Sequence, residues 1–131
     1  MSLKKQKEHK QMSFKRFLNS IKYSIEGLIY AYGNEQSLWL HGVGSLFAVI
    51  MGFIFNITFI QWAIIVVAFV VVLAIELLNT AIEAVVDLVT SEIHPLAKIA
   101  KDCGSAAAFV SGIMAGIICA FIFIPYIIAL F

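Results

Sequence analysis

The sequence has 131 residues, of which 62% are apolar and only 13% are charged. Soluble domains are typically about 45–50% apolar and about 25% charged, and a soluble chain this short could not bury so much apolar surface. The composition therefore predicts a single membrane-embedded domain over residues 1–131. The net charge of +1, with no basic stripe, does not indicate nucleic-acid binding.

The N-terminal region is predicted to be a basic tail over residues 1–12 followed by an amphipathic helix over residues 13–33. Apolar side chains recur at helical spacing from Phe14 to Tyr32, and the other face carries Lys15, Arg16 and Lys22. Such a helix is suited to the membrane interface, with its basic groups toward anionic headgroups. A surface helix packed on protein is the alternative.

Three membrane spans are predicted in the rest of the chain. Residues 36–75 and 103–131 contain no Asp, Glu, Lys or Arg. A helical span needs about 20 residues, so the polar interruption at residues 56–61 must divide the first of these segments. The predicted spans are residues 36–56, 62–90 and 102–131, which gives an all-α membrane bundle of three helices with an N-terminal surface helix.

The basic residues predict the orientation of this bundle. Of the nine Lys and Arg residues, two are Lys98 and Lys101 between the second and third spans, and the rest precede residue 23. The positive-inside rule then makes the N-terminus and the second connection cytoplasmic. Small residues, including a GxxxG pattern at Gly112 and Gly116, favour close helix packing, either within or between chains.

A row of polar residues near the end of the second span is the most informative feature of the sequence. Glu76, Asn79, Glu83 and Asp87 fall on one stripe of a helix, because a helical residue advances 100°. Carboxylates near the hydrocarbon edge cost a few kcal/mol each and usually mark function. In a single copy this stripe is expected to face lipid over part of the circumference, where neighbouring copies could cover it.

Other charged residues are expected at the same membrane level. Glu35 precedes the first span, and Lys101 and Asp102 precede the third. Carboxylate oxygens suit Mg²⁺ held together with nucleotide phosphates, and a lysine can pair with phosphate. The residues alone do not distinguish a kinase from a cation or proton transporter, or from interfacial charges that face headgroups.

The segment ELLNTAIEAVVDLVTSEIHPLAKIAKD, residues 76–102, resembles the signature of the small prokaryotic diacylglycerol kinase and undecaprenol kinase family. The resemblance extends upstream to Arg16, Tyr23, Gly27 and Glu35. It implies a multi-pass protein of the bacterial inner membrane, with the active site on the cytoplasmic side. It also implies a homotrimer with active sites between subunits, and a kinase that uses ATP with Mg²⁺ to phosphorylate a lipid alcohol.

The resemblance also implies a role for individual residues. Glu76 would be the catalytic base, Glu35 and Glu83 the metal ligands, and Asn79, Ser37 and His41 would contact the lipid substrate. Nucleotide contacts would come from Arg16, Tyr23, Glu35, Glu83, Asp87, Glu92, His94, Lys101 and Asp102.

The lipid substrate is predicted from smaller features. The segment EQSLWLH, residues 35–41, and the segment IFIPYI near the C-terminus resemble the undecaprenol kinases. The segment KDCGSAA, residues 101–107, is closer to the diacylglycerol kinases, and Trp39 stands where both branches often carry arginine. Undecaprenol is the predicted substrate and diacylglycerol the alternative.

Overall fold

The structure is a computed structural model that describes residues 14–131, so the predicted basic tail lies outside the described residues. The described chain forms four α-helices and no strand. The helices are α1 (Phe14–Asn34), α2 (Gln36–Ile54), α3 (Phe59–Val89) and α4 (Pro95–Ile128). The predicted all-α fold with three helices able to span a membrane is confirmed.

Helix α1 is a unit of its own. It covers the predicted amphipathic segment, and Lys22 and Glu26 form an exposed ion pair of 3.7 Å one turn apart. At its end the Asn34 side chain donates to the Tyr30 carbonyl, which satisfies one of the carbonyls that a helix end leaves unpaired. The location of α1 at a membrane surface stays a prediction.

The other three helices are long and apolar enough to cross a membrane, and two of them extend beyond the predicted spans. Helix α3 begins at Phe59 because Thr58 and Gln61 form a capping box. Helix α4 begins at Pro95, since proline is compatible with a first helical turn and the His94 side chain accepts a hydrogen bond from the Leu96 amide. Lys98 and Lys101, which precede the predicted third span, are therefore part of helix α4.

The connection between α2 and α3 is a tight turn. Asn56 has a φ of 50°, a left-handed conformation that asparagine tolerates better than most residues. Gln61 Oε1 accepts hydrogen bonds from the Thr58 amide at 2.9 Å and from the Tyr126 hydroxyl at 2.8 Å. These hydrogen bonds to Gln61 join the start of α3 to the end of α4.

Aromatic packing supports the same end of the bundle. The Phe55 ring stacks on Tyr126 with ring centroids 5.6 Å apart, and Trp62 lies 5.1 Å from Phe53 in a tilted arrangement. Ile57 and Ile65 are buried beside them. Because Glu76 follows Phe59 by about 25 Å of helix, this packed end is remote from the acidic stripe.

Helices α3 and α4 form the closest pair, and α2 contacts both less extensively. Small residues on α4 make this possible, since Gly104, Ala108, Ser111 and Ala115 are all buried. The predicted close packing therefore occurs within the chain along this part of α4. Gly116, in contrast, has open space where a side chain would be.

Candidate active site

The acidic stripe of α3 changes from buried to exposed along its length. Glu76 is 2% exposed and Asn79 is 6% exposed, whereas Glu83 is half-buried and Asp87 is exposed. The expectation that the stripe of a single copy faces lipid is wrong for Glu76 and Asn79. Both lie against other helices of the same chain, because α2 and the small residues of α4 approach α3 at this level.

Both carboxylate oxygens of Glu76 have a partner on α2. The Ser37 hydroxyl donates to Oε2 at 2.8 Å, and His41 Nε2 lies 3.1 Å from Oε1. Ser37 and His41 are one turn apart, so both side chains reach the same face of α2. A buried carboxylate requires such partners, since an uncompensated charge in an apolar interior is strongly unfavourable.

Asn79 links the stripe to Glu83 and to α4. Its Nδ2 donates to Glu83 Oε1 at 3.0 Å, one turn along the helix. Its Oδ1 is buried and has no hydrogen-bond partner among residues 14–131. This oxygen fills the space where a Cβ on Gly104 would be, so only glycine at position 104 fits the observed Asn79 side chain.

Glu35 lies at the junction before α2. It is the N-cap residue of that helix, but its side chain makes no capping hydrogen bond. Partial burial raises the pKa of the Glu35 carboxyl, and the negative charges of Glu83 and Glu76 raise it further. The three carboxyl groups are therefore close enough to repel one another, which is an arrangement that a cation would stabilise.

These residues line one cavity of about 620 Å³ between α2, α3 and α4. Six of the predicted site residues contribute to it: Glu35, Ser37, His41, Glu76, Asn79 and Glu83. No group of three or more His, Cys, Asp or Glu within residues 14–131 is arranged to hold a metal ion by itself. The oxygen donors of Glu35 and Glu83 fit Mg²⁺ that arrives with nucleotide phosphates, because Mg²⁺ is usually held by one or two carboxylates plus phosphate oxygens.

A second group of predicted residues lies further along the helices. Lys101 on α4 pairs with Asp87 on α3 at 2.6 Å, and Lys98 pairs with Asp102 one turn away on α4. The first pair bridges α3 and α4 beyond the cavity. These side chains are half-buried or exposed and can exchange their partners for a charged ligand.

Glu92 and His94 are not among the residues that line the cavity. Glu92 and His94 are exposed in the connection between α3 and α4, where the Thr90 hydroxyl accepts from the Glu92 amide at 3.1 Å. Arg16 and Tyr23 belong to α1, the separate unit. Their assignment continues to rest on the resemblance.

Sequence reasoning missed how two of the three glycines of α4, Gly104 and Gly112, shape the site. A Cβ on Gly112 would lie 2.7 Å from Cε1 of His41, as one on Gly104 would collide with Asn79. The small-residue pattern indicated close packing but not the side chains involved. Ser37 and His41 are both partners of Glu76; their one-turn spacing places them on one face of α2 but does not indicate that Glu76 lies opposite that face.

Comparisons with known proteins agree with this architecture. The family model described as prokaryotic diacylglycerol kinase matches residues 22–123. The undecaprenol kinase of Bacillus subtilis is 35% identical over 119 residues, which cover 91% of this chain and 96% of the relative. The diacylglycerol kinase of Escherichia coli strain K12 is 38% identical over 102 residues, which cover 78% and 84%.

The diacylglycerol kinase of Pseudomonas aeruginosa is similar to the same degree, with 38% identity over 101 residues covering 77% of this chain and 82% of the relative. The transporter alternative finds no support in these matches, which all carry the names of lipid kinases. With the family model covering most of the chain and three membrane helices, the chain belongs to the prokaryotic diacylglycerol kinase family of membrane lipid kinases.

Proposed function

We propose that this lipid kinase transfers the γ-phosphate of ATP to the hydroxyl of undecaprenol, a membrane lipid alcohol. The observation that carries the proposal is the cavity that contains buried Glu76 together with Glu35, Glu83 and Asn79. Cavities in which polar groups converge are the usual sites of ligand binding and catalysis. Here the polar groups are the acids and amide that phosphoryl transfer to an alcohol requires.

Glu76 is the proposed catalytic base. Two hydrogen-bonding partners hold its carboxylate in a fixed orientation, and its oxygens have further lone pairs for a substrate hydroxyl. Asn79 Oδ1, which lacks a partner among the described residues, is the proposed second contact to that hydroxyl. Since phosphoryl transfer passes through a loose transition state, Glu76 mainly orients the hydroxyl and takes its proton late.

Glu35 and Glu83 are the proposed ligands of Mg²⁺. The bound ion would supply charge neutralisation for the transferring phosphoryl group. Asn79 orients Glu83 through its 3.0 Å hydrogen bond, and the raised pKa of Glu35 reflects the repulsion among carboxyl groups that a cation would relieve. Two carboxylates are sufficient because phosphate oxygens complete the coordination.

The proposed nucleotide contacts include Glu35 and Glu83. Lys101, on α4, is the cation proposed to pair with phosphate, which requires exchange of its present partner Asp87. The other proposed contacts are Arg16, Tyr23, Glu92, His94 and Asp102, together with Asp87 once it is released. Water reaches this ion pair and can replace either partner, so such an exchange costs little free energy.

Undecaprenol is preferred to diacylglycerol for two reasons. Among the relatives described above, the undecaprenol kinase of Bacillus subtilis aligns over the largest share of both chains. In addition, the segment from Glu35 to His41, which resembles the undecaprenol type, supplies five residues of the cavity wall. The wall around the proposed substrate site therefore includes residues that carry this resemblance.

We further propose that the protein is a homotrimer in the bacterial inner membrane, with its N-terminus and active site cytoplasmic. The trimer rests on the resemblance. The orientation rests on the basic N-terminal segment. Cross-linking in native membranes that stops at monomer or dimer would contradict the trimer.

The deciding experiment compares the two lipids side by side. Detergent-solubilised protein is incubated with radiolabelled ATP, Mg²⁺ and either undecaprenol or diacylglycerol, and label in the chloroform-soluble product is counted. We expect a higher kcat/KM for undecaprenol, and loss of product for both lipids in Glu76→Gln. A higher kcat/KM for diacylglycerol would contradict the proposed substrate, and no label in either lipid would contradict the proposed reaction.

A further inference from the structure

The two partners of Glu76 orient its carboxylate. Ser37 Oγ is a donor to Oε2, and the 3.1 Å contact between His41 Nε2 and Oε1 accommodates an N–H donated by the imidazole. Both carboxylate oxygens are therefore held as hydrogen-bond acceptors, and each keeps a further lone pair. A proton from an alcohol can then be accepted at either oxygen.

The other groups around the cavity cannot replace His41 in this role. On α2 and α3 the titratable groups of the cavity wall are Glu35, Glu83 and Glu76 itself, all acids. Helix α4 contributes Ser105, Ala108, Phe109, Gly112 and Ile113 to the wall, none of which titrates. His41 is thus the one side chain in this described wall that can carry positive charge next to a buried carboxylate.

We propose that His41 is a positioning residue that holds Oε1 of Glu76 in the correct orientation to act as a proton acceptor, rather than a contact to the lipid. This inference rests on the proposed function. In the reaction the lipid O–H bond breaks and its proton goes to Glu76, while the lipid oxygen forms a bond to the γ-phosphorus. The bond from that phosphorus to the bridging oxygen breaks, and ADP leaves with the electron pair. His41 keeps its own proton throughout.

Kinetics can separate this role from direct substrate contact. A residue that only contacts the lipid affects its KM, whereas one that maintains the base affects kcat and its dependence on pH. We expect His41→Ala to lower kcat about 10- to 100-fold, the effect of one hydrogen bond to a charged group. The acidic side of the kcat profile should move to higher pH, because the imidazole N–H then no longer competes with a proton for Oε1.

Two further variants test the pathway through Glu76. In a Glu76→Gln background, His41→Ala should reduce the residual activity less than about threefold, since residues that act through one group are not additive. Gly112→Ala keeps the imidazole but displaces it, as the new methyl group would lie 2.7 Å from Cε1. It should reproduce the kcat loss and pH shift of His41→Ala, whereas Gly116→Ala, in open space, should not.

Free imidazole offers a positive test. His41 also lines an apolar cavity of about 240 Å³ deeper in the bundle, so removal of its ring leaves room for a small molecule. Added imidazole should restore kcat of His41→Ala and leave Glu76→Gln unchanged. A raised lipid KM with unaltered kcat and pH profile, or a full independent effect in the Glu76→Gln background, would overturn the proposal.

One measurement requires no turnover. Infrared difference spectra between wild type and Glu76→Gln identify the carboxyl and carboxylate bands of Glu76, which can be followed with pH in the absence of substrates. In His41→Ala the carboxylate band should disappear at a higher pH than in the wild type. An unchanged titration would refute the role of His41 even if the protein proved not to phosphorylate either lipid, so the inference and the proposed function fail separately.

Discussion

Replacement of Gly104 by alanine is a strict test of the site geometry. The new Cβ would overlap Asn79 Oδ1 and would lie 3.4 Å from its Cγ and 3.8 Å from its Cα. To reach an ordinary contact distance the amide must retreat by about 1 Å. Because Asn79 is buried and its Nδ2 is bound to Glu83, this movement breaks the hydrogen bond that orients the proposed metal ligand.

The magnitude follows from competing effects. Alanine in place of glycine stabilises a helix by about 0.5–1 kcal/mol. Overpacking typically costs about 1–3 kcal/mol, and loss of a hydrogen bond to a charged group costs about 1.5–3 kcal/mol in water-soluble proteins and less between membrane helices. We expect Gly104→Ala to be destabilised by about 1–4 kcal/mol and to bind Mg²⁺·ATP more weakly.

Gly116→Ala is the matched control, because the same change on the same helix meets no atom within 4 Å. It should have a thermal midpoint equal to or above that of the wild type, with unchanged activity. The assays are unfolding in detergent, followed by tryptophan fluorescence, and lipid phosphorylation at varied Mg²⁺·ATP. Equal midpoints and equal KM values for Gly104→Ala and Gly116→Ala would refute the proposed function of the Asn79 amide.

Four other predictions follow from the structure. Glu76→Gln should retain assembly and ATP binding, but its kcat should fall about 10²–10⁴-fold, because an amide cannot accept the lipid proton. A raised KM for ATP with intact kcat would make Glu76 a nucleotide ligand instead. Glu83→Gln should weaken Mg²⁺·ATP binding while the protein still inserts, and unchanged binding in calorimetry would contradict its assignment as a ligand. The pKa of Glu35 is raised in the folded state, so the folded state holds the carboxyl proton more tightly than the unfolded state does. Without metal, the free energy of unfolding should therefore fall as the pH rises from the ordinary glutamate pKa through the raised value. The fall should be absent in Glu35→Gln and reduced by Mg²⁺·ATP, as thermal midpoints across that pH range would show. Tyr126→Phe removes the hydroxyl that donates to Gln61 and should lower the free energy of unfolding by about 0.5–1.5 kcal/mol. It should not change kcat, because this hydrogen bond is remote from Glu76, and an altered kcat would show that the two ends of the bundle are coupled.

The membrane helices and the acidic stripe were accessible from sequence because each depends on a regular pattern. Long uncharged segments define spans, and the 100° rotation per residue brings Glu76, Asn79 and Glu83 onto one face whatever surrounds them. The family resemblance added their proposed roles. Helix termini such as Pro95 were less accessible, since polar residues can continue a helix beyond the hydrocarbon region.

The contacts between helices could not be predicted, because they depend on the rotation of each helix relative to its neighbours. Ser37 and His41 lie far from Glu76 in the sequence, and nothing in their local pattern specifies a common partner. The glycine ridge was visible, yet only the packed structure shows that Gly104 accommodates Asn79 and Gly112 accommodates His41. For Arg16 and Tyr23, resemblance remains the basis of the assignment.

The weak packing of α2 has a consequence for substrate binding. Glu76 connects α2 to α3 through Ser37 and His41, and α2 packs less extensively against α3 and α4 than these two helices pack against each other. A substrate hydroxyl that shares the same carboxylate oxygens therefore weakens their hydrogen bonds to Ser37 and His41, and with them the attachment of α2. By thermodynamic reciprocity, loosening of α2 favours substrate binding to the same degree. A carboxylate that joins two helices in this way links the attachment of α2 to the binding equilibrium.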